Sequence, residues 1–143
     1  MKARASVRAD ASGAEAPGDE RYAADDLPVS EPGGPALDVP EIDVDEAAAR
    51  QAGGTPVIDV REPDEYIEGH VTGAPLIPVG DVVERVDEIP AEGEVLIICK
   101  SGARSRRVAE FLRGQGVDAI NVGGGTMAWI DAGHPITVGA EPS

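Results

Sequence analysis

The stretch Ile97–Arg107, IICKSGARSRR, holds the chain's only cysteine, Cys99, and four of its twelve Lys and Arg residues, in a protein of formal net charge −15. A cysteine does chemistry as a thiolate, so its neighbours matter according to whether they favour that form. The apolar run before it ends at Cys99, and six positions later the pattern is helical. Gly102 lets the intervening turn tighten, and the small Ser101 and Ala103 keep it clear. Successive backbone N–H groups can then converge on a point above the sulfur, reinforced by the amino end of the helix. Lys100 and Arg104 add full positive charges. All three effects favour a thiolate, and the same cradle suits a small anion. The competing reading is an inert buried cysteine. The coincidence of strand end, glycine loop, helix start and local cations argues against it. Arg106 adds to a cluster able to draw in a small anion, whereas Arg107 reads as the solvated face of the helix.

Such a placement needs a strand ending at Cys99 and a helix starting just beyond it. EVLIIC (94–99) is the strongest strand pattern in the chain. ARSRRVAEFLRGQG (103–116) predicts a helix with Val108, Phe111 and Leu112 inward, ending at Gly114 or Gly116. Upstream, EIDVDEAAARQAGG predicts a short strand, then a helix of one or two turns capped by Asp45 and stopped by Gly53. TPVIDV (55–60) is a buried strand, and Pro63 and Gly69 bound a short helix. APLIPV (74–79) predicts another strand, and GDVVERVDEIP a helix with Val82, Val83, Val86 and Ile89 on one face. DAINV (118–122) is a further strand, followed by a glycine turn, a short helix and a stop at Gly133. Strands alternating with helices predict right-handed crossovers: an α/β fold with a parallel sheet covered on both faces. In such sheets ligands bind at the carboxyl ends of the strands, where Cys99 falls.

The 143 residues amount to one domain, with 41% apolar residues and only 3% aromatic ones, so Val, Ile, Leu and Ala must build the core. One cysteine excludes an intramolecular disulfide and a four-cysteine metal site, and fits a reducing compartment. His70 and His134 are too few and too far apart to suggest a metal cluster. No metal or other cofactor is expected. No apolar run approaches the roughly 20 residues that span a bilayer. The opening MKARASVRADASG lacks the apolar segment of a signal peptide. A cytoplasmic, soluble protein is expected, with no membrane partner. Residues 1–40 carry 4 basic and 8 acidic side chains and residues 41–143 carry 8 and 19, so both parts repel a phosphate backbone and nucleic acid is excluded as a partner. Residues 1–39, acidic and rich in Pro, Gly and Ala, read as a disordered arm. A docking segment around Leu27-Pro28-Val29 is the sharper alternative there. The domain is expected over 40–139, with 140–143 as a tail.

From about Glu41 to Val138 the chain resembles the rhodanese domain of the single-domain sulfurtransferase type. VIDVREPDEYIEGHVTGA (57–74), LIICKSGARS (96–105) and INVGGGTMAWIDAGHP (120–135) carry the resemblance, in that order. It implies a rhodanese-like three-layer fold with a parallel sheet of about five strands and helices on both faces. It also implies that Cys99 takes a sulfane sulfur from a small anionic donor such as thiosulfate and becomes a persulfide. The sulfur then passes to cyanide or a thiol acceptor, a protein acceptor among them. Lys100, Ser101, Gly102, Ala103 and Arg104 would form the loop that holds the persulfide, with Ser105, Asp59 and Arg61 in support. An alternative within the same resemblance is a persulfide carrier or sensor that works with a protein partner and turns over little free thiosulfate. Ser101 stands where the two-domain thiosulfate enzymes carry a lysine, which favours that alternative. Glu65 stands where they carry an additional arginine. Cysteine phosphatases place five residues between Cys and Arg; here four intervene, a cradle sized for sulfur.

Asp59 and Arg61 lie two apart at a strand end and share a face. Asp59 is expected to hold loop amides and Arg61 to pair with a carboxylate near the site, direct substrate contact by Arg61 being the alternative. His70 is expected to fix a loop by hydrogen bonds, Trp129 to pack the last helix, and His134 to sit exposed in a turn.

Overall fold

The structure is a computed structural model that describes residues 39–143. Apart from Val39, the predicted arm lies outside the described residues, Leu27-Pro28-Val29 with it. Val39 itself packs against the core.

The elements in chain order are β1 Glu41–Ile42, α1 Val44–Ala52, β2 Val57–Asp59, α2 Pro63–Glu68, β3 His70–Val71, β4 Glu94–Ile98, α3 Ala103–Gly114, β5 Asp118–Val122, α4 Gly125–Asp131 and β6 Ile136–Thr137. Four strands form a parallel sheet in the order β1-β5-β4-β2. The pair β3 and β6 lies apart and is antiparallel.

Side chains alternate across a strand, and β4 uses both faces. Val95, Ile97 and Cys99 join Val108, Phe111 and Leu112 of α3 in one cluster. Leu96 and Ile98 join Val44 and Ala47 of α1 and Trp129 of α4 in the other. The sheet is thus the middle of three layers. Burying each such large aliphatic side chain stabilises the fold by about 1.5–3 kcal/mol. The same alternation carries Cys99 onto the α3 face, one residue past β4, where α3 is about to begin.

The expected fifth strand, APLIPV, is reduced to a single bridge between Asp59 and Leu76. Pro75 and Pro78 have no N–H to give a ladder. The backbone bonds that survive run from Asp59 N to Pro75 O and from Ile77 N to Asp59 O, both 2.9 Å. The expected helix over residues 80–90 is two separate 3₁₀ turns, Val79–Asp81 and Val86–Glu88. Val82, Val83 and Val86 are β-branched, and such side chains lose χ1 freedom in a helix. The cap of α1 is Asp43, which accepts from Glu46 N at 2.9 Å, and not Asp45. Val44, buried against the core, is the first helical residue, so α1 starts two residues earlier than a cap at Asp45 implies. Residues 140–143 dock on the domain: Gly73 N donates to Pro142 O at 2.7 Å, and the Glu141 carbonyl lies 2.8 Å from His70 Nε2. Among the described residues no helix is long and apolar enough to cross a membrane.

Candidate active site

Cys99 follows β4 directly and is 1% exposed. The chain turns back into α3 through Gly102, whose φ of 110° lies in the left-handed region that glycine adopts freely. That turn brings Gly102 N–H to 3.1 Å from Cys99 Sγ, and Ser105 Oγ to 3.3 Å. Burial pushes the Cys99 thiol up. Hydrogen bonding from the Ser105 hydroxyl and from the amides of Ser105, Gly102 and Ser101 outweighs it, so the thiol ends below its ordinary value.

The loop is held from the side of α4. Cys99 O accepts from Thr126 N at 2.8 Å and from Thr126 Oγ1 at 3.0 Å, and Lys100 O accepts from Met127 N at 3.0 Å. Contact is close enough that a Cβ on Gly125 would fall 2.5 Å from the Lys100 carbonyl. With these carbonyls bound to α4, the loop amides turn to the sulfur.

Arg104 lies in the first turn of α3, and its guanidinium grips Glu65 of α2 in a fork, at 2.9 and 3.0 Å. Its charge is therefore matched before any substrate arrives, although it still interacts electrostatically with Cys99. Lys100, Ser101 and Ala103 are exposed at the loop rim, as are Arg106 and Arg107 on α3. Asp59 and Arg61 are buried at the end of β2. Asp59 accepts from the Arg61 backbone amide and from its guanidinium, and Arg61 also donates to Gly69 O at 2.8 Å. The carboxylate that pairs with Arg61 is Asp59 itself, and its donors point into the loop around Gly69.

His70 is buried, with its ring nitrogens against the carbonyls of Tyr66 and Glu141. Trp129 packs in the second cluster and donates to Pro135 O. His134 is half-buried, not exposed: its ring tilts against Trp129 and it meets Asp45 at 2.8 Å. Three contributors escaped the reading of the sequence. Gly125 and Thr126 lie in the glycine motif that opens α4, but their contact with the loop is tertiary. Asn121 is a buried polar residue in the apolar strand DAINV, a signal that could have marked it.

Fold and site together define a small parallel α/β domain that presents one buried cysteine to a ring of backbone amides. Residues 43–132 match the rhodanese-like domain, and the chain belongs to that family. It is 37% identical over 101 residues to a protein of Allochromatium vinosum named sulfurtransferase, covering 68% of this chain and 94% of the relative. It is 35% identical over 125 residues to thiosulfate sulfurtransferase 18 of Arabidopsis thaliana, covering 76% of this chain and 91% of the relative. Among solved structures, a rhodanese-like domain protein from Staphylococcus aureus superposes with a TM-score of 0.64 at 30% identity, over 70% of this chain and 98% of that one.

Proposed function

We propose that the protein is a sulfurtransferase whose Cys99 carries sulfur as a persulfide. The Gly102 N–H at 3.1 Å from a buried sulfur, on a loop whose carbonyls are tied to α4, is the observation that supports this best. The Cys99 thiolate attacks the outer sulfur of a donor such as thiosulfate. A new S–S bond forms to Sγ, the donor's S–S bond breaks, and sulfite leaves with the electron pair. Loop amides bind the charged outer sulfur of the persulfide. Cyanide or a thiolate then attacks that outer sulfur, and Cys99 returns as a thiolate. The only cysteine among the 143 residues is the nucleophile, so an acceptor thiol comes from another molecule.

Intact-mass measurement after exposure to thiosulfate tests the proposal. The native protein gains one sulfur that a reductant removes, and Cys99→Ser gains none. A native protein that gains no sulfur from thiosulfate or from a small persulfide would falsify it.

The Arg104–Glu65 fork favours a second reading, in which a persulfidated protein is the working donor. A dianion such as thiosulfate meets a cation already neutralised by a carboxylate. Steady-state rates separate the two readings: thiosulfate turnover near background alongside fast loading from a persulfidated protein thiol supports the carrier.

A further inference from the structure

A chain of hydrogen bonds runs from β1 to the nucleophile through Glu41, Asn121, Ser105 and Cys99. Glu41 and Asn121 are register partners on β1 and β5. Asn121 Nδ2 lies 2.9 Å from Glu41 Oε1 and 3.2 Å from Gly102 O. A carboxylate and a carbonyl only accept, so the amide must give them its N–H groups and turn its oxygen the other way. There Ser105 Oγ stands 2.6 Å from Asn121 Oδ1 and 3.3 Å from Cys99 Sγ. Asn121, Ser105 and Cys99 are all buried, so these groups must satisfy one another.

A serine hydroxyl has one proton. With Cys99 as a thiol, S–H donates to Ser105 and Ser105 donates to Asn121, and every group is satisfied. With Cys99 as a thiolate, sulfur and Asn121 Oδ1 compete for the same proton, and the loser faces a lone pair. Resting on the reading of Cys99 as the sulfur carrier, we propose that Asn121 is a positioning residue. It competes with the thiolate for the Ser105 proton, so that Ser105 supports the empty nucleophile's thiolate less than it would alone, with Glu41 fixing the amide orientation that makes this possible. The loaded state escapes the contest. In a persulfide the charge sits on the outer sulfur among the loop amides, Sγ is neutral, and the Ser105 proton stays with Asn121. The network therefore penalises the empty thiolate and spares the persulfide. The other charged groups around this end of the sheet include Arg104 with Glu65 upon it and Glu62 acting on it, Lys100, and the Asp59–Arg61 pair. Substitution at Asn121, Ser105 or Glu41 leaves all of these in place.

The test is the pH profile of Cys99 alkylation by iodoacetamide in the full chain, which needs no sulfur donor. A hydrogen bond from Ser105 released to a charged sulfur corresponds to about a tenfold gain in thiolate. Asn121→Ala is therefore expected to move the midpoint to lower pH and to raise the rate below it about tenfold. In a Ser105→Ala background the same substitution moves nothing. Glu41→Ala shifts the profile in the same direction by less, and Glu41→Gln, which keeps an acceptor oxygen, stays with the native protein. An unmoved or raised midpoint in folded Asn121→Ala overturns the proposal, as does an equal shift without Ser105. If circular dichroism finds Asn121→Ala unfolded, Glu41→Ala decides, and an unmoved midpoint there overturns it. These outcomes are independent of sulfur loading: a persulfide that forms with unmoved midpoints sinks the network alone, and shifted midpoints without a persulfide sink the transferase reading alone.

Discussion

The turns after β4 and β5 leave the same edge of the sheet and enter α3 and α4 through a left-handed glycine, Gly102 at φ 110° and Gly124 at φ 81°. Both bring helix-start amides to that edge. In the second turn those amides meet neutral carbonyls, Thr126 N on Cys99 O and Met127 N on Lys100 O. In the first they surround a sulfur. The residue at the strand exit differs accordingly: Cys99 in one turn, Gly123 in the other. At Gly123 the space for a side chain is already taken, because a Cβ there would fall 2.7 Å from the Glu41 carboxylate. One strand–glycine–helix design thus serves two ends. The second turn is a clamp that holds the carbonyls of the first, and the first is left with its amides free for an anion.

The clamp is most directly broken at Gly125. Its φ is +60°, and an added Cβ would sit 2.5 Å from backbone atoms of Lys100 and 2.6 Å from Cys99 O. Left-handed strain of about 1–2 kcal/mol adds to an overpacking cost of about 1–3 kcal/mol. Gly125→Ala is expected to lower Tm by on the order of 15 °C and to abolish sulfur loading at temperatures where the variant is still folded. Gly116 supplies the control. Its φ is +90° but an added Cβ would meet nothing within 4 Å. Gly116→Ala should cost about 1 kcal/mol, lower Tm by roughly 5 °C and leave loading intact. Equal effects at the two glycines, read by thermal melts and intact mass, would mean that strain alone matters and that the clamp does not.

The two turns were unequally legible. Everything local to the first is contiguous: an apolar run into Cys99, Gly102, small neighbours and an amphipathic helix. The second announced a glycine turn and a short helix, but its role as a clamp is a contact between residues some 25 apart, Cys99 with Gly125 and Thr126. Arg104 was legible as a cation and illegible as half of a fork, since Glu65 lies 39 residues upstream. Asn121 and Glu41 meet only because β1 and β5 are neighbours in the sheet, 80 residues apart in sequence. At APLIPV an apolar pattern suggested a strand while two prolines withheld its donors. The pairing of β3 with β6 was too short, at two residues each, to leave any periodicity.

A smaller perturbation separates the two bonds of the clamp on Cys99 O. Thr126→Val removes the side-chain bond at 3.0 Å and keeps the backbone bond at 2.8 Å. The buried carbonyl keeps one partner, so the cost is about 1 kcal/mol. Loading by thiosulfate should slow by less than about tenfold, since a loss of 1.4 kcal/mol would be needed for that factor. A Thr126→Val rate as low as that of Gly125→Ala would place the clamp in the hydroxyl instead of the backbone.

The smallest effect concerns the charge that the first turn has and the second lacks. The Glu65 carboxyl is held down at about 2, against an ordinary 4.5, chiefly by the Arg104 hydrogen bond, with burial opposing and the Glu62 amide assisting. The folded protein therefore binds this proton more weakly than the unfolded chain does. Unfolding takes the proton up, so the contribution is complete above 4.5 and is lost as the pH falls toward about 2. The pair is partly exposed, at 32% and 27% for its two side chains, which limits its worth to about 1 kcal/mol or less. Glu65→Gln should melt slightly below the native protein at neutral pH, and the difference should close between pH 4.5 and 2. A gap that persists at the acid end would mean that the carboxylate matters for packing alone. Sulfur loading gives the complementary reading. Glu65→Gln removes the carboxylate charge that matches the Arg104 guanidinium, so thiosulfate should gain more than a neutral sulfane-sulfur donor does. Equal gains would remove Glu65 from donor selection and leave the cradle of amides as the only part of the first turn that meets the substrate.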